Sequence, residues 1–134
     1  MKIQEIYKLK NIVPALSPLE RWYNRILTKE PEEMTAGDVL RSLRQGVFTE
    51  VAEEMLVRLL KGDVFAGDMV EGELLEALGN FSSKSTLKFG DVLKTIVKTA
   101  ESAAEQHEWM GEEEKKEYLA SVSRIKSNLA NAGC

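Results

Sequence analysis

Apolar residues return every three or four positions along almost the whole chain, while the two-residue alternation of a strand is nearly absent. That spacing is the repeat of the α-helix, so the chain must bury helical stripes against one another. Ser17 reads as an N-cap, with Pro18 at the first helical position and Glu20 completing a capping box; Leu19, Trp22, Tyr23, Ile26 and Leu27 then form one stripe that closes before Pro31. Thr35 caps a second helix, with Asp38 three residues on, Val39, Leu40 and Leu43 inward, and Gly46 as its end. A third spans residues 49–61, burying Val51, Met55, Leu56, Leu59 and Leu60 before Gly62. Val70, Leu74, Leu75 and Leu78 continue the period up to Gly79. The competing caps Ser82, Ser83 and Ser85 then leave the next boundary open. From residue 91 the stripe resumes through Val92, Leu93, Ile96, Val97, Ala100, Ala103 and Ala104, and a last helix with three early glutamates turns Tyr118, Leu119, Val122, Ile125 and Leu129 inward. The expectation is an all-α fold, one bundle-like domain over residues 1–134 with about six helices.

At 134 residues the chain is long enough for one core that buries about two-thirds of its unfolded surface. No apolar run approaches the ~20 residues that cross a bilayer. Gln4, Glu5, Lys8 and Lys10 interrupt what would have to be the apolar stretch of a signal peptide. The lone cysteine, Cys134, allows no internal disulfide and no cysteine metal site. A cytoplasmic protein without membrane contact is expected.

The residues for catalysis are missing as constellations. One histidine, His107, excludes a histidine metal cluster, and beside Glu108 and Trp109 it reads as a helix-end or surface residue. Glu53 and Glu54 lie on a solvent face, and Glu112, Glu113 and Glu114 suit a helix N-terminus, so neither set reads as a buried acid–base pair. No glycine motif cradles phosphate, and no calcium loop fits. No catalytic residue, metal, cofactor or small-molecule substrate is therefore expected.

Arg41, Arg44 and Gln45 could belong to a helix-turn-helix reading DNA through residues 35–61. The would-be recognition helix, however, begins with "TEVAEE", and three glutamates repel a phosphate backbone. In the plainer reading Arg41, Arg44 and Gln45 tie the first three helices together and no nucleic acid is bound; a small DNA-binding regulator is the alternative. Charge is uneven elsewhere too. Residues 68–134 carry twelve acidic side chains and eight basic ones, and "DVFAGDMVEGELLE" holds Asp63, Asp68, Glu71, Glu73 and Glu76 without a basic residue. Such a segment attracts basic partners, although a solvated loop and helix face would look the same.

Three ordered segments, "RWYNRILTKEPEEMTAGDVLRSLRQ", "VAEEMLVRLLKGD" and "GDMVEGELLEAL", resemble the immunity proteins of bacterial contact-dependent growth inhibition (CDI) systems over residues 19–78. Pro31, Thr35, Asp38, Val39, Arg41, Arg44, Gln45, Leu59 and the run from Gly72 to Leu75 occupy the positions of that family's pattern. The resemblance implies a small cytoplasmic antitoxin. It would bind and block the C-terminal toxin domain of a secreted effector, commonly a nuclease with a basic substrate groove. Under it Asp63, Asp68, Glu71, Glu73 and Glu76 become the expected toxin contacts, and Thr35, Asp38, Arg41, Arg44 and Gln45 the structural motif.

Overall fold

Eight α-helices and one 3₁₀ turn form the chain, and no strand does, in a computed structural model that describes residues 1–134. Two units divide it, Met1–Met55 and Leu56–Cys134, with the division falling inside one helix.

The first unit holds α1 (Ile3–Tyr7), α2 (Pro18–Leu27), the 3₁₀ turn (Pro31–Glu33), α3 (Ala36–Gln45) and the start of α4 (Thr49–Gly62). Both capping boxes form: Ser17 Oγ accepts from Glu20 N, and Thr35 Oγ1 accepts from Asp38 N, each at 3.1 Å. Helix α3 ends where Gly46 takes a φ of +68°, a left-handed conformation that costs glycine little. Trp22, Ile26, Leu27, Val39, Phe48 and Ala52 are buried, and the Phe48 ring stacks on Tyr23 at 5.2 Å. Asp38 is the junction of this unit. Beyond its cap, Oδ1 accepts from Trp22 Nε1 at 3.2 Å and Oδ2 from Lys29 Nζ at 2.7 Å. Arg41 lies over the Trp22 ring at 5.0 Å, whereas Arg44 and Gln45 are exposed on the last turn of α3. The bridging contacts to α2 thus come from Asp38 and Arg41.

The second unit carries the remainder of α4, then α5 (Glu73–Leu78), α6 (Ser83–Lys88), α7 (Gly90–Gln106) and α8 (Glu112–Asn131). Helices α7 and α8 pack on each other, and α5 and α6 both lie against α8. Leu74, Leu75, Leu78, Leu93, Ile96, Val97, Val122 and Ile125 are buried. Asn128 Nδ2 donates to the Gly79 carbonyl at 2.8 Å, closing the C-terminal end of α5 onto α8.

The helix count is eight rather than six because α1 and α6 were not expected. They span five and six residues, too few for a 3.6-residue period to show. A second correction concerns Val70, expected on a buried stripe. It is 61% exposed, because Gly72 at φ +85° delays the helix to Glu73.

Candidate functional site

The acidic segment, the 63–76 loop, comprises the closed connection between α4 and α5 together with the first turn of α5. Asp63 starts it with a side-chain turn: its Oδ1 accepts from Phe65 N at 2.9 Å and its carbonyl from Ala66 N at 3.1 Å. The returning side of the loop is tied back when Gly72 N donates to Phe65 O at 2.9 Å and Leu74 N donates to Ala66 O at 3.1 Å. Gly67 makes the closure possible, since a Cβ there would stand 1.9 Å from the Val70 carbonyl oxygen.

Glu73 reaches back into this loop. One carboxylate oxygen accepts from three consecutive amides, Asp68 N at 3.1 Å, Met69 N at 2.6 Å and Val70 N at 2.5 Å. Three N–H groups wrapped around one anion form a charge-assisted clamp, which fixes the backbone of the tip. Glu73 is half-buried, and its carboxylate is engaged with its own loop. Asp68, Met69, Val70, Glu71 and Glu76 face solvent.

Beneath the loop lies an aromatic cluster assembled from distant parts of the chain. The Phe65 ring stacks on His107 at 4.0 Å and meets Tyr118 at 5.0 Å; Trp109 sits edge-on to His107 at 4.5 Å. His107 stands at the end of α7, as the sequence implied, and its Nε2 is 2.9 Å from Glu71 Oε2, which joins the loop to that helix end. Trp109 Nε1 donates to Ala104 O at 3.0 Å, and the buried Tyr118 hydroxyl donates to Val64 O at 2.7 Å. Burial, with the Asp63 carboxylate nearby, pushes ionisation of Tyr118 well above its ordinary range, so it remains a donor.

A groove of about 310 Å³ runs between the loop and α8. Glu71, Glu73 and Glu76 line one wall, and Glu114 and Glu117 the other, with Trp109 and Tyr118 at its floor and no basic side chain among its lining. Asp63 and Asp68 line a neighbouring recess with Met69, Val70 and Glu71. The five expected acidic residues therefore divide between two adjoining concavities, with Glu71 shared by both.

The sequence marks Glu114 only as a helix N-terminal acid and does not single out Glu117, although both carry a signal: with Tyr118 and Ser121 they follow the i, i+3, i+4, i+7 stripe of one helix face. What the sequence could not supply is that this face meets the 63–76 loop. No three acidic, imidazole or thiol groups in the chain are placed to share a metal ion. The other candidate region, α3 to α4, places Glu50 in the first turn of α4, where it accepts from the Tyr7 hydroxyl at 2.9 Å. That end offers a carboxylate where a DNA-reading helix needs donors.

The sequence pattern describing the CDI immunity proteins matches residues 5–100. It takes in the whole 63–76 loop and ends within α7, so His107, Trp109 and α8 lie beyond the matched stretch. No curated protein matches the chain.

Proposed function

The chain belongs to the CDI immunity proteins, and from that premise we propose that it neutralises the toxin domain of one effector by covering it with the acidic groove and the 63–76 loop. The observation that carries this reading is the groove itself, which carboxylates line from both walls and no lysine or arginine lines. Like charges brought together on a fold are a standing electrostatic cost, which a basic partner relieves.

A nuclease is the toxin chemistry that fits best. Its substrate channel must be basic to hold a phosphate backbone, and carboxylates can occupy its phosphate-binding positions without being cut. Neutralisation is by occlusion, with no turnover and no cofactor. Protection against a few toxin molecules calls for roughly nanomolar binding, about -12 kcal/mol. Such interfaces bury about 1,600 Å², more than the groove alone offers, so the footprint extends over the loop tip and the first turns of α8. Action in the cytoplasm, where an incoming nuclease would meet its substrate, belongs to the same reading.

The test is a titration of toxin activity with the purified chain, using the toxin domain of the effector encoded immediately upstream. Inhibition should saturate at a fixed molar ratio, with a stable complex recovered by size exclusion. Charge reversal of Asp68, Glu71 and Glu76 to lysine should weaken binding on the order of 100-fold with helical content unchanged. Unaltered affinity in that variant would remove this surface from the account.

A further inference from the structure

Met69 and Val70 present an anomaly that charge does not explain. They are 85% and 61% exposed, side by side at the tip of the acidic loop. Apolar side chains exposed on a floppy loop would need no comment. These two stand on backbone that is held at every turn: their own amides are two of the three gripped by Glu73, and the loop is cross-tied at Phe65–Gly72 and Ala66–Leu74. Phe65, at the base, is further pinned by the His107 and Tyr118 rings. The fold spends a carboxylate to keep an apolar pair rigid and in water.

We propose that Met69 and Val70 are the apolar anchor of the toxin interface, and that they seat in an apolar socket of the toxin domain rimmed by basic side chains. This rests on the reading of the acidic groove as the toxin-binding surface. The partner's chemistry follows from the neighbours: Asp68 and Glu71 flank the pair, so the rim around the socket must be positive to meet them. The two parts divide the work. The carboxylates steer encounter and set the association rate, while the desolvated pair sets residence time, as fully buried anchors do at protein interfaces. Glu73 is a positioning residue, removing in the free protein the ordering cost that a mobile loop would meet on binding.

The experiment is a kinetic comparison of wild type, the double variant M69A/V70A, E73A and E73Q against the same toxin domain, with D68K/E71K/E76K alongside. M69A/V70A should raise the dissociation rate about 30-fold, the loss typical of an anchor, with the association rate nearly unchanged. E73A should speed amide exchange at residues 68–70 and weaken binding about tenfold, without change in circular dichroism. E73Q, which keeps an oxygen acceptor, should restore both. If D68K/E71K/E76K weakens binding and M69A/V70A does not, the anchor is overturned while the acidic groove stands. If neither variant changes affinity, the groove reading falls and the anchor with it. If E73A mobilises the loop at unchanged affinity, the positioning role is wrong.

Discussion

Asp38 shows how much one side chain can hold. It completes the capping box of α3 by accepting from Thr35 N, accepts from the Trp22 indole and pairs with the Lys29 ammonium. Burial alone would raise its pKa, but Lys29, the Thr35 amide and Trp22 together hold it below the usual carboxylate value. A folded pKa below the unfolded one contributes stability that is present above the unfolded value and is lost as pH falls through the folded one. Asp38→Asn should therefore cost about 2 kcal/mol at neutral pH, the scale of hydrogen bonds to a charged group. Its deficit relative to wild type should shrink below the ordinary carboxylate value of 3.8. Urea unfolding at pH 7 and pH 3 measures both. The cap was legible, because Thr35 and Asp38 carry the spacing themselves. The pairings with Lys29 and Trp22 were not, since nothing local says which residues α3 will lie against. Arg44 and Gln45 show the same limit from the other side: chemically suited to bridging, they face water instead.

At the scale of elements, sequence reading succeeded where a helix was long and its ends chemically marked. Ser17 with Pro18 and Glu20 opens α2, and Gly46 closes α3, both as spacing implied. Ser17→Ala should cost about 1 kcal/mol, a typical N-cap loss, read as a lowered urea midpoint with unchanged slope. Reading failed for the short helices α1 and α6 and at the loop before α5, where one glycine conformation overrides the apolar period. The loop also hid the role of Glu73. A glutamate near a helix start can face a partner or its own backbone, and only the folded loop decides between them. Gly67 is the position on which this geometry turns. Gly67→Ala would drive a Cβ into the Val70 carbonyl, a backbone group that cannot simply rotate aside. A cost of about 1–3 kcal/mol is expected, together with faster amide exchange at residues 68–70. Toxin affinity should fall with it, measured by calorimetry.

For the molecule as a whole, the net charge of -4 understates the polarity of its surface, because the groove concentrates carboxylates drawn from residues 71 to 117. The acidic segment was visible as a run in the sequence, but the groove was not, since its second wall comes from a helix about forty residues further along. Exposed charges act over about 10 Å at 0.1 M salt. The association rate with the toxin should thus fall steeply as salt is raised, and D68K/E71K/E76K should flatten that dependence; stopped-flow measurements at several ionic strengths check this. The measurement that bears most directly on the central claim is hydrogen–deuterium exchange of the chain, free and in complex with its toxin domain. The account predicts new protection at residues 64–78 and 109–121, the loop and the facing turns of α8, with the amides of α2 and α3 unchanged. Protection confined to residues 18–45, with the loop exchanging as in the free protein, would contradict it.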